Sequence, residues 1–281
     1  MGGAMKFPLA FDKMTGTGND FIVIDNREQV VLVAEQPELA KKISRRMFSV
    51  GADGVIFLEP GSQADLQWRF YNSDGSEAEM CGNGARCAAR FAYQHRMVTE
   101  RKMTIATLAG VIGAEIGEDD LVRVTMPIPH DIRRGLSMVL DGEERLAGYL
   151  NTGVPHLVLF VDDEPIPVMS WGRKLRFDEM FAPDGTNVNF ARVLPDGRLK
   201  VRTYERGVEA ETMACGTGAV ASAILAAFEQ GLSSPVTVVT SGGEILTILF
   251  DLNDGPVVEK VFLQGPARLV YSGRLTPEAL L

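Results

Sequence analysis

The chain has 281 residues, 46% of them hydrophobic and 23% charged, a composition that can fill two medium-sized cores. A net charge of −9 and a pI near 5.0 exclude sequence-independent nucleic-acid binding, which needs clustered Lys and Arg against phosphates, and point to a small-molecule partner. No apolar run is long enough to span a bilayer, and the opening MGGAMKFPLAFDKM lacks the basic and apolar regions of a secretory signal, so a cytoplasmic protein without a membrane partner is expected.

In the first half, FIVID (21–25), VIFLE (55–59), DLQWRFYN (65–72), KMTIAT (102–107), GVIGAEI (110–116) and LVRVTM (121–126) read as strands, being rich in β-branched and aromatic residues. PELAKKISRRMF (37–48) reads as a helix with proline at its start, an apolar face through Leu39, Ile43 and Met47, and KKISRR as its solvated face. A second helix opens at Gly82. The stretch 127–150, with its Pro, Gly and charge, reads as a linker. The second half repeats the order: strand HLVLFV (156–161), helix SWGRKLRFDEMF (170–181), strands NVNFARVL (187–194) and LKVRTYE (199–205), a helix from Gly216 to about Gln230, then more strands. The expected class is α/β (α+β), with two pseudosymmetric domains, 1–135 and 136–281. Each would be a twisted, mostly antiparallel sheet or barrel around a central helix, with the last strands as candidates to pack back on the first domain.

The three cysteines, Cys81, Cys87 and Cys215, are odd in number and include no CxxC pair, and His95, His130 and His156 lie far from them in sequence. Neither a disulfide framework nor a metal site is expected. A single cysteine in such a chain is usually a small buried hydrophobe. A shift of 134 positions changes that reading, because it places Cys81 on Cys215, Gly82 on Gly216, Gly84 on Gly218 and Ala85 on Ala219. It also sets Phe70 on Tyr204 and GADG (51–54) on GTNV (185–188), so the chain reads as two copies of one ancestral unit.

Each copy puts a cysteine directly before Gly-x-Gly at a helix start. The first amides of a helix have no intrahelical partner and carry about half a positive charge, so they acidify a thiol there and also hold a carboxylate. One such site is a weak signal; the Lys of a P-loop and the third glycine of a dinucleotide fingerprint are both missing. Two matter more. If equivalent helix starts flank one cleft, a single carbon fits between the two sulfurs, and thiolate and thiol exchange a proton on its opposite faces, which is what inversion at an acidic carbon requires.

The segments MTGTGNDFIVID (14–25), FYNSDGSEAEMCGNGARCAARF (70–91), NTGVPH (151–156), GTNVNF (185–190) and YERGVEAETMACGTGA (204–219) resemble, in order and spacing, the motifs of the diaminopimelate epimerase family. The resemblance implies a two-base epimerase without pyridoxal or another cofactor, acting on LL- and meso-2,6-diaminopimelate for lysine and peptidoglycan synthesis. It also implies a cleft site between pseudosymmetric domains and a homodimer. By position, Cys81 and Cys215 match the proton-exchanging pair. Gly82 and Asn83, with Gly216 and Thr217, match the amides that take the carboxylate at the reacting carbon. Asn19, Asn72, Asn187, Glu205 and Arg206 match residues that hold the other end of the ligand, and His156 and Glu205 match groups that tune the thiols.

Plainer readings stand beside these. Asn19, Asn72 and Asn187 also suit turns, Glu205–Arg206 a rim pair, and Cys87 a core position within the helix. Departures from the family pattern are Thr15 and Gly54, where His and Gln are common, and Val154, where an asparagine usually contacts the ligand; Asn151, Thr152 or a water are candidates to replace it. ERGVEAET (205–212) is one residue longer than the common form and should bulge. The alternatives are a cysteine-pair racemase of proline, hydroxyproline or histidine type, and a thiol redox sensor or amino-acid-binding module. A phenazine-type isomerase would be expected to lack the paired cysteines.

Overall fold

Phe21–Ile24 and Val55–Leu58 are runs of four consecutive buried apolar residues, so neither segment has a solvent face. Such strands pair in parallel under cover on both sides, and in the computed structural model they do so, Phe21 opposite Gly54 through Asp25 opposite Leu58. The structure describes residues 5–162, 165–253 and 257–281. The residues gather into two units, one running up to Val124 and taking in Gly265–Leu281, the other Thr125–Gln264. The sequence reading divides the chain once, at 135/136.

The first unit begins with strands β1 (Leu9–Gly16) and β2 (Asn19–Asp25), then helix α1 (Gln36–Ile43), strands β3 (Gly54–Pro60) and β4 (Leu66–Asn72), helix α2 (Gly82–Gln94), and strands β5 (Lys102–Thr107), β6 (Gly110–Ile116) and β7 (Val122–Thr125). β1 and β3 flank β2, antiparallel and parallel; β4 is antiparallel to β3 and parallel to β5, and β6 and β7 continue antiparallel. One face of the sheet, through Ile22, Ile24, Val55 and Phe57, packs on Leu39 and Ile43 of α1. The other carries α2, with Phe21 and Ile56 beneath Gly84. Each such side chain contributes about 1.5–3 kcal/mol when fully buried.

The second unit follows the same plan. A hairpin of β8 (His130–Leu140) and β9 (Glu143–Asn151) leads to β10 (Pro155–Phe160), helix α3 (Val168–Arg176), β11 (Asn187–Val193), β12 (Leu199–Glu205), the short β13 (Ala210–Thr212), helix α4 (Gly216–Glu229), and β14 (Val236–Val239), β15 (Ile245–Leu252) and β16 (Val258–Gly265). β10 and β11 are the parallel pair here, and β12 with β14 repeats β4 with β5. Leu157, Leu159, Val188 and Phe190 pack on α3 through Val168 and Leu175, and α4 lies against the same strands. The last strand, β17 (Arg268–Leu275), belongs to the first unit and runs antiparallel to β1. Among the described residues no helix is long and apolar enough to cross a membrane.

Three elements differ from the sequence reading. The first helix stops at Ile43 and does not reach 48: Met47 has φ +70° and is fully exposed, and Gly51 N–H bonds the Ile43 carbonyl as the chain turns back. Arg46 then leaves the helix face to pair with Asp20 and Asp53. Helix α3, expected to run to 181, ends at Arg176, because Asp178 turns extended and caps a separate 3-10 turn by accepting from Met180 N–H at 3.0 Å. The stretch 127–150 is no linker. Its charged residues occupy the open face of the β8–β9 hairpin, whose tip, Asp141–Gly142, holds φ of +52° and +84°. Two consecutive positive φ values define the tight turn that Asp-Gly favours, and Asp141 Oδ2 accepts from Trp171 Nε1 at 2.8 Å, docking the tip on α3.

No atom lies within 4 Å of a Cβ built at Gly142, so a side chain there meets only backbone strain. Gly142→Ala is expected to lower unfolding free energy by about 1 kcal/mol in urea titration, with the fold retained. No loss would mean that the turn relaxes to another type.

Candidate active site

In the first unit, Cys81 sits at the N-cap of α2 with extended backbone angles (φ −141°, ψ 117°), and its sulfur accepts from Gly84 N–H at 3.5 Å. It is half-buried, while Gly82 and Asn83 behind it are buried. The β1–β2 hairpin lies directly on this helix start. A Cβ at Gly16 would stand 2.8 Å from the Asn83 carbonyl oxygen and 3.2 Å from Cys87 Sγ, so only glycine allows the approach. At the hairpin tip the Thr17 hydroxyl donates to Asn83 Oδ1 (3.1 Å), which also accepts from Arg86 Nη2 (2.9 Å). Asn83 Nδ2 therefore points the other way, to Asn19 Oδ1 (2.6 Å), and Asn19 Nδ2 donates to Asp53 Oδ2 (3.1 Å). Neither amide can flip without breaking this chain of donors. Asp53 is held by Arg46, which also pairs with Asp20; burial raises the Asp20 carboxyl, but hydrogen bonds from Arg46 and Lys13 outweigh it and leave it below the usual range.

Asn72 stands apart from this chain. It ends β4 opposite Gly54, and its Nδ2 donates to Ser76 Oγ at 3.0 Å. Gly54 itself lies under the Phe70 ring, 2.4 Å from where a Cβ would be, so glutamine has no room there. Cys87 is fully buried, and burial pushes its thiol up to about 12, the behaviour of a core residue.

In the second unit, Cys215 stands at the N-cap position of α4 (φ −119°, ψ 109°), its sulfur 3.4 Å from Thr217 Oγ1. Under this helix start the sheet is polar. A Cβ at Gly218 would fall 2.3 Å from Asn189 Oδ1, and Asn189 accepts there from Thr203 Oγ1 (2.9 Å). Its Nδ2 donates to the Leu157 carbonyl (3.0 Å) and faces His156 Nδ1 (3.2 Å). Because the carbonyl only accepts, the nitrogen of Asn189 is on that side, His156 Nδ1 accepts, and the imidazole proton sits on Nε2. That Nε2 is buried without a partner among the described residues. Burial, with the Arg206 charge adding to it, pushes His156 down to about 3, so it is a neutral donor at neutral pH.

Around it, Asn187 pairs with His156 across the parallel strands, donates Nδ2 to the Pro155 carbonyl (2.9 Å) and accepts from Arg206 N–H (2.8 Å). Glu205 Oε2 accepts from Thr212 Oγ1 (2.8 Å). Thr212 and Cys215 both line a cavity of about 10 Å³, room for one water. Near Val154, Asn151 Oδ1 accepts from Gly153 N–H (2.9 Å) and the buried Thr152 hydroxyl donates to the Thr217 carbonyl (3.4 Å), so both candidates to replace the usual asparagine already shape the turn against the helix start. The long ERGVEAET segment forms a four-residue loop between β12 and β13, where Glu209, at φ +56°, accepts from Gly207 N–H and from Arg176 Nε.

The structure thus joins Asn19, Gly82, Asn83 and Cys81 in one unit and His156, Asn187, Glu205, Arg206, Cys215, Gly216 and Thr217 in the other. Sequence reasoning missed Thr17, Asp53, Arg86 and Asn189. For Asn189 a signal exists: it alternates with Asn187 and is flanked by Val188 and Phe190 in a strand, and a polar residue on the buried side of such a strand must have partners.

The depressed value of His156 has a consequence for stability. Its folded pKa lies below the unfolded value of about 6.5, so the unfolded chain takes up the proton first. The contribution is complete above about 6.5 and is lost as pH falls toward 3, at roughly 1.4 kcal/mol per pH unit. Denaturant titrations between pH 6 and 4.5 are expected to show a steeper fall for the parent than for His156→Gln. Equal slopes would mean that the folded protein protonates His156 with ease.

The sequence profile of the family described as Diaminopimelate epimerase matches residues 11–129 and 148–270, reaching across both units. A diaminopimelate epimerase from Aquifex aeolicus (strain VF5) is 44% identical over 283 residues, covering 97% of this chain and 99% of that protein. Among solved structures, a phenazine biosynthesis protein of the PhzF family from Bacillus anthracis superposes with a TM-score of 0.76 at 14% identity, over 96% of this chain and 100% of that one. A hydroxyproline epimerase from Agrobacterium vitis gives 0.69 at 15% identity, over 97% and 94%. Those two likenesses are of fold, whereas the profile and the Aquifex aeolicus relative are matches of sequence along nearly the whole chain: it belongs to the diaminopimelate epimerase family.

Proposed function

We propose that this chain interconverts LL- and meso-2,6-diaminopimelate by a cofactor-independent two-base reaction, for lysine and peptidoglycan precursors. The observation that carries the reading is that each unit places a half-buried cysteine at a helix N-cap before Gly-x-Gly, Cys81 on α2 and Cys215 on α4. One thiolate removes the α-proton, the other thiol delivers a proton to the opposite face, and the roles exchange for the reverse reaction. Amides at Gly82 and Asn83, and at Gly216 and Thr217, take the adjacent carboxylate and the charge that grows on it, an effect worth about 10²–10³ in rate per donor. Asn19, Asn72, Asn187, Glu205 and Arg206 supply acceptors for ammonium and donors for carboxylate at the far end of the substrate. His156 as a neutral donor and Glu205 beside Thr212 set the polarity around the second thiol.

The matched order of strands in the two units supports their origin as pseudosymmetric domains. The three free thiols fit a reducing, cytoplasmic setting. A homodimer is part of this reading on family resemblance, and sedimentation at micromolar concentration tests it.

In D2O the protein is expected to epimerise LL-diaminopimelate and to wash deuterium into its α-position. Cys81→Ala and Cys215→Ala should each lower turnover by roughly 10³-fold or more with the melting transition preserved. Activity that persists in either variant sinks the two-base mechanism. Deuterium entering proline, hydroxyproline or histidine in place of diaminopimelate would move the chain to the racemases of those amino acids.

A further inference from the structure

Under α2 the sheet meets the helix start with Phe21 and Ile56 beneath Gly84, so an apolar floor is enough to seat it. Beneath Gly218, the matching position of α4, stands Asn189, completely buried, with Thr203 opposite it on β12 and His156 beside it on β10. A buried polar group costs free energy unless its donors and acceptors find partners. Packing alone therefore gives no reason for three polar side chains where the other unit uses two apolar ones.

Asn189 uses its whole side chain. Nδ2 donates to the Leu157 carbonyl (3.0 Å) and lies 3.2 Å from His156 Nδ1, while Oδ1 accepts from Thr203 Oγ1 (2.9 Å). Turning the amide over would set its oxygen against the Leu157 carbonyl oxygen, two acceptors with no proton between them. The backbone of β10 thus fixes which way the amide faces. A proton on His156 Nδ1 would then meet the amide hydrogens, so the imidazole is confined to one of its two neutral forms. Burial removes the doubly protonated form at neutral pH by pushing the ring down to about 3. What remains is an Nε2–H donor, buried and without a partner among the described residues.

We propose that Asn189 is a positioning residue for the reaction: it holds His156 as the Nε2–H tautomer, so that the second unit offers a neutral donor beside its substrate-holding residues. The inference rests on the epimerase reading above and adds to it a residue that acts through His156. His156 lies in register with Asn187 across β10 and β11, and Asn187 Oδ1 in turn accepts from Arg206 N–H (2.8 Å). A donor at this place suits an oxygen acceptor, carried by the substrate or by a water held with it. The other tautomer would present a lone pair at the same point and repel the same group. Asn189 Oδ1 also stands 2.3 Å from where a Cβ of residue 218 would be, so the side chain that sets the ring also underlies the first turn of α4.

Nitrogen-15 NMR of the three histidines at neutral pH, with His156→Gln to assign the signal, reads the tautomer directly. The parent is expected to show Nε2 protonated and Nδ1 bare. Asn189→Asp, whose carboxylate only accepts, should move a proton onto Nδ1, and Asn189→Leu, which offers Nδ1 nothing, should let both tautomers coexist. Thr203→Val leaves the Leu157 carbonyl to orient the amide and should keep the proton on Nε2. The kcat/KM for LL-diaminopimelate is expected to fall by at least about ten-fold in Asn189→Asp and by only about two- to five-fold in Asn189→Leu, following the loss of the oriented donor. A role confined to packing would not make the loss of activity follow the proton on Nδ1. A parent spectrum with the proton on Nδ1, or shared between both nitrogens, overturns the proposal, as does a folded Asn189→Asp that keeps Nδ1 bare. Full activity in a variant whose proton has moved overturns the role in the reaction. Should both Asn189 variants fail to melt cooperatively, the parent and Thr203→Val spectra decide. The spectra do not depend on turnover, so the tautomer can fail while the two-base reaction stands, and the cysteine variants test that reaction separately.

Discussion

Close approach of a helix start to the backbone around it is the constraint on which the rest of each unit depends. A helix N-terminus presents usable amides and a positive end only if nothing covers its first turn, and only if that turn is held rigidly from behind. Both units meet the requirement with glycine. Gly16 lets the β1–β2 hairpin touch the Asn83 carbonyl, and Gly218 lets α4 settle onto Asn189. The cysteines then occupy N-cap positions with extended backbones, and Cys81 Sγ accepts from Gly84 N–H where the oxygen of Ser or Asp would in an ordinary cap.

Having used one plan twice, the chain surrounds the two helix starts differently. Under α2 the sheet is apolar, with Phe21 and Ile56 below Gly84, and the polar groups gather beside the helix in Thr17, Asn83, Arg86 and Asn19. Under α4 the sheet itself is polar, through Asn189, Thr203 and His156. Among the described residues His156 Nε2 is one of a few buried donors without a partner, and it lies within the polar patch under α4.

Much of this was legible along the chain. Cys-Gly-x-Gly at 81–84 and 215–218 marks both helix starts, and FIVID (21–25) and VIFLE (55–59) mark strands; all four features appear where expected. The hairpin at 127–150 was misread because its charges suggested exposure without structure, although Asp141–Gly142 between residues of alternating character is a turn signal of its own. Met47 misled in the opposite sense. Its spacing from Leu39 and Ile43 fits a helical face, yet the chain had to turn before it so that Arg46 could reach Asp20 and Asp53.

Local pattern, then, was sufficient for the repeat, the strands, the helix starts and the family, because each depends on residues within a few turns of one another or on motifs in linear order. It was insufficient for the charge states. Nothing in GARCAAR says that Arg86 is buried with only neutral acceptors, since those come from residues 17, 82, 83 and 266. Nothing in GVPH says that His156 is neutral with its proton on Nε2, since that follows from Asn189, which is itself held by Leu157 and Thr203. Protonation is decided by dielectric and by hydrogen-bond direction at a point in space, and only the folded chain brings those groups to that point.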